Sequence, residues 1–77
     1  MIDKSQNEIT GRQLAAARAL LGLRQVEVAF VANISESTLK RFEAEKNAIA
    51  FSNNFAAVKL ELEKRGVEFI DRGVRLR

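Results

Sequence analysis

The sequence predicts a small, mainly helical domain of about four helices followed by a C-terminal β-strand or hairpin. Apolar residues recur at helical spacing in several segments between residues 10 and 65, and capping residues separate these segments. Over residues 67–77 the spacing changes to the alternation of apolar and polar residues that is typical of strands. We therefore expect a loose lead-in over residues 1–8, one helical domain over residues 9–66 and a strand or hairpin over residues 67–77.

The composition favours one folded domain and argues against catalysis. The chain has 77 residues, of which 47% are apolar, and it contains no proline. It contains neither cysteine nor histidine, so it lacks thiolate and imidazole metal ligands and the commonest general base. We expect no enzymatic activity, no cofactor and no metal. The net charge of +3 permits binding to nucleic acid without requiring it.

Nothing in the sequence predicts a membrane protein or an exported one. The longest uncharged apolar runs, such as Leu14–Ala17 and Ala19–Leu23, are much shorter than a membrane span. Asp3, Lys4 and Glu8 interrupt the segment in which a signal peptide needs an apolar stretch. We expect a cytoplasmic location and no contact with membranes.

The first helix is expected to begin after Thr10, which has the capping-box spacing to Gln13. Leu14 and Ala17 then lie on one face, and Gly22 can end the helix in a left-handed cap.

The second and third helices are predicted to be short and close together. The second runs from about Arg24 to Ala32, where Asn33 tolerates a positive φ. Ser35 is expected to cap the third helix, which buries Leu39 and Phe42.

The fourth helix is predicted from about residue 53 to residue 65, with Ser52 as its cap and Gly66 as its end. Its apolar stripe consists of Phe55, Val58 and Leu62. The charged residues expected on its solvated side are Lys59, Glu61, Glu63, Lys64 and Arg65.

The stretch over residues 24–45 carries a specific pattern, Gln25-x-x-x-Ala29-x-x-x-Asn33-Ile34-Ser35-x-x-Thr38-Leu39-x-x-Phe42-Glu43. It resembles the Xre family of phage repressor and Cro-type helix-turn-helix domains, and the resemblance covers roughly residues 10–65. It implies a lambda-repressor-like helix-turn-helix bundle whose third helix enters the major groove of DNA. The function that it implies is that of a prokaryotic or phage-type transcriptional regulator.

The resemblance also implies roles for individual residues. Arg18 and Glu43 match an ion pair that joins the first helix to the end of the recognition helix, although each is also readable as a plain surface charge. The residues expected to contact bases are Ser35, Glu36, Ser37 and Arg41. The residues expected to contact phosphates are Arg24, Gln25, Lys40, Lys46 and Asn47. Arg41 is the leading base contact, because a guanidinium can pair with O6 and N7 of guanine.

Three residues depart from the family pattern: Arg24 stands where a serine or threonine usually caps the second helix, Asn33 replaces the turn glycine, and Glu45 replaces the glycine that often ends the recognition helix. In addition, Glu36 places a carboxylate at the tip of the recognition helix. From Arg24 to Glu45 the motif has three basic and four acidic residues, and hence no net positive charge. Val26 and Phe30 are apolar where related domains are polar, which indicates either a protein contact or packing against the hairpin or lead-in.

The C-terminal strands are expected to form a dimer interface. They are too short to be stable alone, and Cro-type proteins dimerise through such strands. The residues assigned to this interface are Val67, Phe69, Ile70, Val74 and Leu76. Whether the strands pair within one chain or between two chains stays open at this point.

The leading function is therefore sequence-specific binding to double-stranded DNA by a homodimer, which predicts an inverted-repeat operator. The alternative is a protein-interaction module on the same fold, such as an antiactivator or an antitoxin-like partner of another regulatory protein. No small-molecule effector is expected in either case.

Overall fold

The computed structural model describes residues 9–45 and 53–77, and these form a mainly helical bundle with a C-terminal antiparallel hairpin. The expected fold class is confirmed. The elements of the described ranges are α1 (Gly11–Leu20), α2 (Gln25–Ala32), α3 (Glu36–Ala44), α4 (Asn53–Lys64), β1 (Val67–Ile70) and β2 (Gly73–Leu76). The expectations for residues 1–8, Lys46, Asn47 and the Ser52 cap lie outside the described residues. In the described ranges, no helix is long and apolar enough to span a membrane.

Local signals place the ends of α1 and α2 as the sequence predicts. The Thr10 hydroxyl accepts a hydrogen bond from the Gln13 amide at 3.4 Å, and the Gln13 side-chain oxygen accepts one from the Thr10 amide at 2.9 Å. Gly22 follows α1 with φ +70°, and Asn33 ends α2 with φ +60°. Both positions require the left-handed conformation that glycine and asparagine adopt at low cost.

The N-terminal caps of α2 and α3 differ in their hydrogen bonds. The Ser35 hydroxyl accepts a hydrogen bond from the Thr38 amide at 3.0 Å, as expected for an N-cap. Arg24 has no acceptor atom, so only the reciprocal half of a capping box forms at α2. There the Glu27 carboxylate accepts a hydrogen bond from the Arg24 amide at 2.8 Å.

The core lies between α1, α4 and the hairpin, with α2 and α3 closing one side. Its buried apolar residues are Ile9, Leu14, Ala17, Val28, Ala29, Ala32, Leu39, Phe55, Val58, Leu62, Val67 and Phe69. Phe42 is only partly buried, and its ring meets Phe55 edge to face at a centroid distance of 5.8 Å. Lys59 was expected to be solvated, but its side chain is only 18% exposed. Its ammonium lies 5.7 Å from the centroid of the Phe69 ring, because α4 packs against β1.

The hairpin belongs to the core of its own chain. Its two strands pair from Val67 with Leu76 to Ile70 with Gly73. The buried Gln13 amide donates hydrogen bonds to the Ile70 carbonyl at 2.9 Å and to the Gly73 carbonyl at 3.0 Å, which ties the hairpin turn to α1.

This placement corrects part of the expected dimer interface. Val67 and Phe69 are buried inside the protomer because they complete the core beside α4. A partner chain could reach only Ile70, Val74 and Leu76 while the hairpin stays folded, and of these Leu76 is the exposed one, at 51%. The strands pair within the chain.

Gly11 permits a close approach between α1 and α3. A Cβ atom at this position would lie 1.5 Å from the carbonyl oxygen of Phe42, far inside contact distance, and the obstructing atom is backbone. Any side chain here would therefore push the start of α1 away from the end of α3.

We expect Gly11→Ala to lower the free energy of unfolding by about 1–3 kcal/mol, because the extra methyl group overpacks the crossing. Urea denaturation monitored by circular dichroism measures this. The matched control is Gly73→Ala, whose methyl group would meet its nearest atom at 3.6 Å, an ordinary contact. Equal stability of the two variants would contradict the close approach.

Candidate nucleic-acid interface

The turn between α2 and α3 leaves the expected contact residues of α3 on the outward face of that helix. Leu39 points into the core and Ile34 packs against it, so the opposite face of α3 is left outward. That outward face carries Glu36, Ser37, Lys40 and Arg41, which are all exposed and follow helical spacing. Arg24 and Gln25 stand at the start of α2.

A partly buried ion pair sets the position of this face. The Arg18 guanidinium binds both carboxylate oxygens of Glu43, with Nε at 2.8 Å from Oε2 and an Nη at 3.0 Å from Oε1. The two side chains are 21% and 7% exposed. The hydrogen bond with Glu43 raises the pKa of Arg18 above its ordinary value, and Arg18 also donates to the Leu23 carbonyl at 3.0 Å. The ion pair expected from the sequence is thus present.

Gln25 joins the same network. Its side-chain amide donates a hydrogen bond to Oε1 of Glu43 at 2.9 Å. The network therefore connects α1, the first turn of α2 and the end of α3. Gln25 was expected to contact a phosphate; within the chain, it holds α2 against α3.

The ion pairs change the charge balance that the sequence suggests. Glu43 is turned inward and neutralised by Arg18, which lies outside the motif. Glu36 lies 3.7 Å from Lys40, and Glu27 lies 3.6 Å from Arg24, in exposed pairs. Arg41 makes no ion pair with any residue of the described ranges. The guanidinium expected to contact a base is thus exposed and has no partner in this part of the chain.

The Ser35 hydroxyl makes more hydrogen bonds within the fold than the sequence predicts. Besides accepting from the Thr38 amide, its hydroxyl donates a hydrogen bond to the Thr38 hydroxyl at 2.8 Å. The cap thus uses the Ser35 hydroxyl both as a donor and as an acceptor. Ser37, two residues further along the chain, is exposed.

An apolar patch lies on the outer side of α2 and consists of Val26, Phe30 and Val31, all exposed. Phe30 is 83% exposed, so neither the hairpin nor another described element covers it. The hairpin packs on α1 and α4 instead. The patch lines a shallow groove of about 480 Å³ that is completed by Leu23, Arg24, Glu27 and Arg65.

Sequence reasoning missed the long-range contacts of two residues. Gly11 carried only the weak signal of a glycine at a helix start, and its role depends on the backbone of Phe42, far along the chain. Gln13 was recognised as a capping residue, but its bonds to the hairpin turn join residues that no short motif connects.

No protein-family model matches the chain, and a search of curated proteins finds no significant relative. The assignment of a function therefore depends on the residues and their geometry. In the described ranges, no three acidic side chains are grouped in a way that would hold a metal ion.

We expect Glu43→Gln to lower the free energy of unfolding by about 3 kcal/mol, because it leaves the largely buried Arg18 cation without its anion. Thermal and urea unfolding measure the loss. The control is Glu61→Gln, which breaks a 3.5 Å pair with the exposed ammonium of Lys64 and should cost less than about 1 kcal/mol. Similar costs for both variants would show that the Arg18 pair is energetically a surface pair.

The start of α2 should depend on pH. The pKa of Glu27 is lowered by the hydrogen bond from the Arg24 amide and by the charges of Arg24 and Arg65. Ionised Glu27 therefore stabilises the start of α2 above the ordinary carboxyl pKa, and this stabilisation is lost as the pH falls through the lowered pKa. In the wild type, the protection of the Arg24 amide against hydrogen exchange, relative to an unstructured peptide at the same pH, should fall as the pH drops through this range. In Glu27→Ala, where this bond is absent at every pH, the protection should stay low throughout.

Proposed function

We propose that this chain is a transcriptional regulator that binds double-stranded DNA in a sequence-specific way, acting as a cytoplasmic homodimer on an inverted-repeat operator. The observation that carries the proposal is the outward face of α3, which the Arg18–Glu43 pair holds in place. Short helices joined by a tight turn, with polar side chains on the outer side of the second, suit insertion into a major groove.

In this proposal the exposed residues divide into two groups. Arg41 pairs with O6 and N7 of guanine, and Glu36 and Ser37 provide an acceptor and a hydroxyl to neighbouring base edges. Arg24, Lys40 and the backbone amides at the start of α2 bind phosphates and fix the register on the duplex. Because Gln25 already donates to Glu43, a phosphate bound there would be held by a side chain whose position is preset.

A second candidate function is a protein-interaction module on the same fold. The exposed Phe30 favours it, as does the absence of a net positive charge in the motif. Retention of a specific sequence from random DNA separates the two functions, since only the first predicts it. No catalytic activity, cofactor or small-molecule effector is part of either proposal.

We expect selection from random DNA to enrich one inverted repeat, with binding that weakens steeply as salt rises. Arg41→Ala should reduce discrimination at one base pair of each half-site by about 1–3 kcal/mol. The control is Arg72→Asn, which removes a charge from the hairpin turn at a left-handed position that asparagine accepts. It should leave the sequence preference unchanged.

Two results would contradict the proposal in different ways. If no sequence is enriched, DNA recognition is not the function. If Arg41→Ala and Arg72→Asn select the same sequence as the wild type, DNA recognition stands but the base contact of Arg41 is wrong.

A further inference from the structure

Helix α2 is apolar on more than one side, which is the pattern of a helix buried on both faces. Val28, Ala29 and Ala32 face the core of the protomer. Val26 and Phe30, one turn apart, face away from it and are exposed, with Val31 beside them. The described elements of the protomer therefore cover the inner apolar side of this helix and leave Val26, Phe30 and Val31 exposed.

The exposed side of α2 carries a protruding ring, an open groove and charges of both signs. Phe30 protrudes beside an open groove of about 480 Å³ that the same patch lines. The rim of this groove carries both signs of charge, with Arg24 and Arg65 as cations and Glu27 as the anion. Two copies related by a two-fold axis place the same surface against itself, so a patch that holds both a protrusion and a groove, and both charges, fits its own copy.

We propose that a second copy of this chain covers the α2 patch and that this contact, rather than the hairpin, is the two-fold interface of the protein. Phe30 of each protomer enters the groove of the other, and Glu27 faces Arg65 of the partner subunit. The contact is part of the free protein and forms without DNA, so it is tested separately from DNA recognition. It also adds apolar burial to a small domain that contains no cysteine and so has no disulfide to stabilise it.

Analytical ultracentrifugation of the purified full chain without DNA tests this contact. The wild type should sediment as a concentration-dependent dimer. Phe30→Ser should raise the dissociation constant about tenfold or more, because it removes the central anchor. The Phe30 side chain is 83% exposed in the protomer, so the circular dichroism spectrum of monomeric Phe30→Ser should keep its helical content.

The matched control is Leu76→Ser, which removes an exposed apolar side chain from the hairpin. It should leave the dissociation constant unchanged. A wild type that stays monomeric at every concentration would overturn the proposal, and so would dissociation by Leu76→Ser but not by Phe30→Ser. A truncation after Gly66 is unsuitable as a control, because it also removes the core residues Val67 and Phe69.

Cross-linking gives an independent measurement that leaves Phe30 in place. The chain has no cysteine, so Val31→Cys and Leu76→Cys each introduce one thiol. A short bismaleimide should join two copies through the thiol of Val31→Cys and not through that of Leu76→Cys. The reverse result would place the interface at the hairpin and overturn the proposal. Loss of DNA recognition alone, with the dimer intact, would count against the proposed function and not against this interface.

Discussion

The crossing of α1 over the end of α3 is the contact on which the arrangement of the other elements depends. Near one end of α1, Gly11 allows the helix to lie directly against the backbone of Phe42. Two turns later in α1, Arg18 donates two hydrogen bonds to Glu43, the residue that follows Phe42. A steric contact and a directional ionic contact thus act on the same end of α3. Because Gln25 and the Leu23 carbonyl join this ion pair, the position of α2 follows from the same crossing.

The ion pair contributes to orientation more than to net stability. Transferring two charges out of water costs free energy that offsets much of their attraction, whereas removing one partner leaves an uncompensated charge. The bidentate geometry accepts only a narrow range of angles between α1 and α3. It also withdraws the Glu43 carboxylate from the outer surface, so the face of α3 that carries Arg41 is less acidic than the sequence alone indicates.

The hairpin has a different role in the fold from the one that its sequence predicts. From the sequence, the two short alternating strands are expected to need a partner chain. In the fold, Val67 and Phe69 are core residues, and the Gln13 amide holds the turn against α1. Within the described ranges, no element covers Phe30 on the outer side of α2. The hairpin supports the protomer, and the outer side of α2 carries an exposed apolar patch.

The sequence by itself determined the features that depend on neighbouring residues: the Thr10 and Ser35 caps, the left-handed ends at Gly22 and Asn33, and the change to strand spacing after Gly66. These are set by hydrogen bonds and backbone sterics within a few positions. The Arg18–Glu43 pair was accessible only through a family resemblance. Tertiary structure alone decided that Gly11 touches Phe42, that Gln13 holds the hairpin and that Lys59 lies over Phe69. Each of these contacts joins distant segments, so it depends on how the helices pack and leaves no periodic signal in the chain.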